Sequence, residues 1–128
     1  MSAGSVSKFN LVLSLKGKAK IDLELKRHLA PKTVGSILRS LPLEGNAHMM
    51  GTSFAFMDTD LTAGGEKLKT QFKKGDVAFM ASNGSICFFL EDTASTKPMT
   101  PIGRINSNLS ELSAIKPGDI FLVSQDGT

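Results

Sequence analysis

Residues 75–90, Gly-Asp-Val-Ala-Phe-Met-Ala-Ser-Asn-Gly-Ser-Ile-Cys-Phe-Phe-Leu, restrict the possible folds of this chain more than any other stretch. Two apolar runs, 77–81 and 86–90, flank a polar turn at 82–85. Asn83-Gly84 tolerates the positive φ angles of a type I′ turn, so the runs are expected to form a hairpin. Both are apolar almost without interruption, the mark of strands covered on both faces. Such a hairpin needs strands on either side of it. Phe9, Leu11, Leu13 and Leu15 alternate with other residues, and after Lys16-Gly17 so do Ile21, Leu23 and Leu25 with Lys20, Asp22, Glu24 and Lys26. This period of two predicts a second hairpin with one dry and one wet face.

Val34, Ile37, Leu38 and Leu41 recur at helical spacing behind Pro31, which is tolerated in a first helical turn, and Pro42 stops the pattern. A β-rich run over 46–57 follows, bent or bulged at Gly51. A polar loop at 58–69 leads to a short strand at 69–72. After the central hairpin, 91–100 reads as a polar connection with Pro98, and 101–105 as a strand. Asn108 and Glu111 stand at N-cap and N3 spacing, opening a short helix with Leu109, Leu112 and Ile115 inward. Residues 120–123 form the last strand. The expected architecture is mainly β: a closed eight-stranded antiparallel barrel capped by two short helices, occupying 8–125 behind a loose tail at 1–7.

At 128 residues, 41% hydrophobic and 21% charged, the chain has the make-up of one soluble domain. Its net charge of +3 comes from dispersed lysines without a charge block, so no nucleic-acid partner is expected. One cysteine, Cys87, excludes an internal disulfide framework. Residues 1–7 lack the apolar region of a signal peptide and no run is long enough to span a membrane, so a cytoplasmic protein with no membrane partner is expected. Asp58-Thr59-Asp60 starts like a calcium loop, but Ala63 and Lys69 occupy the positions that need glycine and glutamate. His28 and His48 have no ligand partners at metal-site spacing. Neither a metal nor a cofactor is implied.

Four short segments resemble the cyclophilins, in order and at compatible spacing. Ala30-Pro31-Lys32-Thr33-Val34 is similar to the Val-Pro-Lys-Thr-Ala that opens their first helix. Gly51-Thr52-Ser53-Phe54 is similar to the Gly-Ser-Cys-Phe strand leading to their catalytic arginine. Phe79-Met80-Ala81 with Asn83-Gly84-Ser85 resembles the Ser-Met-Ala and Asn-Gly-Ser segments beside their groove, and Ile102-Gly103-Arg104-Ile105 their Phe-Gly-Lys-Val strand. The chain looks most like the small archaeal and bacterial cyclophilin-like proteins of unknown function. The resemblance implies an eight-stranded barrel with two helices.

It also marks departures. The arginine position is Phe56, and the glutamine after Asn-Gly-Ser is Ile86. The chain has no tryptophan, no histidine follows His48, and the loop between Ala81 and Asn83 is shorter. Prolyl isomerisation crosses a barrier of about 18–20 kcal/mol, lowered when a donor bonds the imide nitrogen, and a phenyl ring cannot donate. The expected function is therefore a groove that binds a peptide or small apolar ligand without isomerase catalysis. Candidate groove residues are Phe56, Leu61, Met80, Ala81, Ser82, Ile86, Phe88 and Arg104, with Ile86 and Phe88 facing the groove and Cys87 and Phe89 filling the barrel. The alternatives are a residual prolyl isomerase using another donor such as Arg104, or an enzyme of different chemistry using polar groups from Asp58 to Glu66. The oligomeric state, monomer or homodimer, is left open.

Overall fold

Strict alternation builds the first hairpin. β1 (Lys8–Leu15) and β2 (Ala19–Lys26) pair antiparallel, with Leu11 opposite Leu23 and Leu13 opposite Ile21. Leu11, Leu13, Leu15, Ile21, Leu23 and Leu25 are all buried, while Lys20 and Asp22 stay exposed. The computed structural model describes residues 8–16 and 18–125, so the tail at 1–7 lies outside the described residues.

The helical stripe forms α1 (Pro31–Ser40), with Pro31 in its first turn. Val34 and Ile37 are buried, whereas Leu38 and Leu41 are only partly covered against the same core. Ala30 supplies no capping side chain. Glu66 takes that role from the polar loop, accepting hydrogen bonds from Thr33 N–H (2.7 Å), Thr33 Oγ1 (2.8 Å) and Lys32 N–H (3.3 Å). A carboxylate here satisfies orphan amides and the positive end of the helix dipole.

The run at 46–57 is a hairpin, not one bent strand. β3 (Leu43–Met50) and β4 (Phe54–Asp58) pair antiparallel. Gly51 adopts a φ of 56° and Ser53 N–H donates to Met50 O at 3.1 Å, which reverses the chain. β5 (Lys69–Phe72), β6 (Asp76–Met80) and β7 (Ser85–Phe89) follow. The β6–β7 turn departs from type I′: Met80 pairs with Ser85, leaving 81–84 as a four-residue loop. Only Gly84 there has positive φ, at 72°. Its carbonyl accepts from both Thr59 N–H (2.9 Å) and Thr59 Oγ1 (2.6 Å), so the longer loop anchors the segment after β4.

β8 (Thr93–Ile105) is longer than expected, because 93–100 is strand and not connection. β9 (Ile120–Gln125) completes the set. The sheet runs β2-β1-β9-β3-β4-β7-β6-β8, and β8 pairs back onto β2, closing a ring of eight strands. β5, the ninth, pairs only with β8 and hangs outside the ring. A 3-10 helix at Leu109–Ala114 buries Leu112 and packs Leu109 and Ile115 against the core. The expected Asn108–Glu111 cap does not form. Asn108 is left-handed, with a φ of 60°, and its amide donates to Lys20 O at 3.1 Å.

Two apolar clusters result. The inner one fills the ring and draws on β1–β4 and β6–β9 together with α1. The outer one, Phe54, Phe72, Ala78, Cys87, Phe89 and Met99, lies on the other face of β4, β6 and β7, roofed by β5 and the first half of β8. Phe72 stacks on Phe89 at 4.6 Å and 12° there.

Candidate functional site

The continuous apolar run of β7 is buried on both sides, and cross-strand pairing decides which side is which. Phe56 lies opposite Cys87, and Met57 opposite Ile86. Partners across a ladder share a face. Phe54, Phe56, Met80, Ser85, Cys87 and Phe89 therefore face outward, while Met57, Phe79, Ile86 and Phe88 face into the ring. This is the reverse of the expected register for residues 86–89. Ile86 and Phe88 are core, with Phe88 packed edge-on against Phe121 at 5.5 Å. The physical reason lies in the turn: with Met80 opposite Ser85, the first residue of β7 already points outward, one position earlier than expected.

Beside the outer cluster lies a groove of about 370 Å³. Phe54, Phe56 and Met80 supply its apolar surface and Met50 its exposed rim. Ser53, Asn83 and Ser85 add polar groups, and Thr93, Ala94, Ser95, Thr96 and Lys97 of β8 form the opposite wall. That wall exists because β8 bulges: Gln71 pairs with Ala94 but Lys69 with Met99, so Ser95, Thr96, Lys97 and Pro98 are pushed out of the ladder. Ser95 Oγ latches the excursion, donating to Lys97 O at 2.8 Å and accepting from Lys97 N–H at 3.3 Å.

Of the eight expected candidates, Phe56 and Met80 line this groove. Leu61 borders a separate depression of about 430 Å³ with Pro42 and Asp60. Ala81 packs on the inner core, and Ser82 is exposed in the turn. Arg104 borders a third, open depression and is held there by Asp76 at 2.7 Å and the Lys74 carbonyl at 3.3 Å, so it is no groove donor. Sequence reasoning missed Met50, Ser53, Asn83, Ser85 and the β8 wall. The β-branched Thr93 and Thr96 were the available strand signal.

A polar cluster continues from the groove. Ser85 is fully buried and its Oγ donates to Asp58 Oδ1 at 3.0 Å. His48 Nε2 lies 3.2 Å from Asp58 Oδ2. That nitrogen is shielded from solvent yet off line for a hydrogen bond, and its ring stacks on Phe56 at 4.9 Å. The carboxylate sits between hydroxyl and imidazole, so the imidazole cannot take the serine proton and no acyl-transfer triad is built. Glu66, the other end of the loop, is committed to α1. Burial opposes its ionisation, but the hydrogen bonds from Thr33 and Lys32 outweigh this and hold its carboxyl below the ordinary value. Burial, with a contribution from Asp58, pushes the Cys87 thiol up to about 12, so it stays protonated and unreactive. Among the described residues, no three His, Cys, Asp or Glu side chains gather as a metal site, and no helix is long and apolar enough to cross a membrane.

Among solved structures, the solution structure of the hypothetical protein AF2241 from Archaeoglobus fulgidus resembles this chain with a TM-score of 0.81 at 23% identity. The match covers 98% of this chain and 99% of that one. McbB, solved in complex with tryptophan, aligns with a TM-score of 0.78 at 9% identity, over 92% of this chain and 45% of McbB. No curated protein matches by sequence. The model of the Cyclophilin-like family matches residues 17–126, which take in every ring strand except β1. The chain belongs to the cyclophilin-like family.

Proposed function

We propose that the outer groove binds a peptide segment or a small apolar ligand and that the protein does not isomerise prolyl bonds. One observation carries this reading. Phe56, at the position the resemblance gives to the catalytic arginine, lines the groove beside Phe54 and Met80. The volume of about 370 Å³ falls in the range of small-molecule sites, roughly 300–1,000 Å³, and mixed apolar and polar lining is typical of them. Methionines on the rim and floor adapt to ligand shape. The missing amide of the isomerases is not replaced either. Ile86 points into the ring, and its outward neighbours Ser85 and Cys87 carry a hydroxyl and a thiol.

Removing one preorganised donor from such a site typically costs about 10²–10³ in rate. Exchange NMR on an Ala-Pro peptide, run beside an active cyclophilin, is expected to show turnover lower by about 10² or more. Turnover within tenfold of that control would overturn the non-catalytic reading and turn attention to Lys97, the one cation on the groove wall among the described residues.

A further inference from the structure

We infer that the groove selects a small aromatic or aliphatic carboxylate, with Lys97 as its counter-ion; the inference rests on the groove being a binding site. Lys97 is the only charged side chain lining the groove among the described residues, and its ammonium has no hydrogen bond or ion pair. The polar side chains opposite, Ser53, Asn83 and Ser85, are uncharged, and the hydroxyl of Ser85 is already given to Asp58. The backbone at Lys97 is latched by Ser95 on both its N–H and its carbonyl. The bulge thus places one unpaired cation on the wall across from an aromatic floor. A ligand with an apolar ring and one anionic group meets both features, the ring on Phe54 and Phe56 and the anion at Lys97. A free small molecule is the fitting occupant because the groove between the β6–β7 turn and the β8 bulge encloses only about 370 Å³, near the lower end of the roughly 300–1,000 Å³ of small-molecule sites.

Tryptophan and tyrosine are absent, so added fluorophores report without protein background. The dyes 8-anilinonaphthalene-1-sulfonate and neutral N-phenyl-1-naphthylamine share a skeleton and differ in charge. The anionic dye is expected to bind about fivefold tighter, the worth of a partly exposed ion pair. Lys97→Met should remove that preference and leave the neutral dye unaffected. Lys20→Met, on β2 and away from the groove, makes the same change in net charge and should alter neither. Naphthalene-2-carboxylate should displace the dye better than its carboxamide. A proline-free peptide with an amidated C-terminus, offered as the alternative occupant, should displace it poorly. Equal binding of both dyes, or a preference untouched by Lys97→Met, would overturn the inference while leaving the groove a binding site. Strong displacement by the peptide would overturn the choice of a small molecule. If neither dye binds, the groove reading itself fails and the inference with it.

Discussion

Gly103→Val is expected to leave the protein folded but destabilised by about 4 kcal/mol, with the β8–β2 closure of the ring weakened. Gly103 sits where the ring closes, opposite Leu25 on β2 and Val77 on β6. A Cβ there would collide with the Glu24 carbonyl oxygen and press on Leu25 Cα, which are backbone atoms and cannot swing aside. The clash leaves two routes: separate β8 from β2, or strain both strands. Either forfeits part of the pairing that buries Leu23, Leu25 and Ile105. Overpacking that forces backbone shifts costs about 1–3 kcal/mol, occasionally more. With a strand junction lost as well, about 4 kcal/mol is a reasonable expectation against a total stability of about 5–15 kcal/mol. Denaturant unfolding monitored by circular dichroism checks this. A Gly103→Val protein within about 1 kcal/mol of the parent would mean that β8 and β2 do not close the ring.

Phe88→Ala and Phe56→Ala, two Phe truncations on neighbouring strands, should differ sharply. Phe88 is fully buried in the ring and meets Phe121 edge-on, so its loss should cost about 3–5 kcal/mol. Phe56 is only partly buried, borders the groove, and should cost about 1 kcal/mol, with ligand binding weakened instead. The reverse order, Phe56→Ala being the more damaging, would restore the opposite register for β7. Slow alkylation of Cys87 cannot make this distinction. The thiol is covered in either register, inside the ring or beneath Phe72 and Met99.

That ambiguity explains what the sequence could and could not show. β1, β2 and α1 were legible because each has one wet face, so the apolar period declares which side is buried. Ile-Cys-Phe-Phe on β7 has two dry faces and no period, and one residue more or less in the turn exchanges them. Asn83-Gly84 marked the reversal correctly but not its length. The Gly84 carbonyl of the longer loop is bound by Thr59, remote in sequence, a contact no local pattern announces. The first half of β8 went unseen because its buried apolar residues begin only at Met99, and Pro98 reads as a breaker. Yet Pro98 lies in the bulge, where no ladder bond is needed. The groove wall was hidden with it. Asn108 and Glu111 had capping spacing, but a left-handed Asn108 turned its amide to Lys20 instead. Phe56 and Met80 were legible as groove residues because their segments resemble those of the family, whereas the Asp58–Ser85–His48 cluster joins three strands and leaves no local pattern.

The methionines offer the most direct reading of where a ligand sits. The chain has six. Met50 and Met80 line the groove, while Met57 is buried in the ring and Met49 packs against the same inner core. With 13C-methyl methionine, titration with N-phenyl-1-naphthylamine should shift the Met50 and Met80 methyls through the ring current of the bound dye. The Met49 and Met57 methyls should stay in place. Shifts at Met49 or Met57 as large as those at Met50 and Met80, or bound dye with no movement at the groove pair, would contradict the assignment of the outer groove as the binding site.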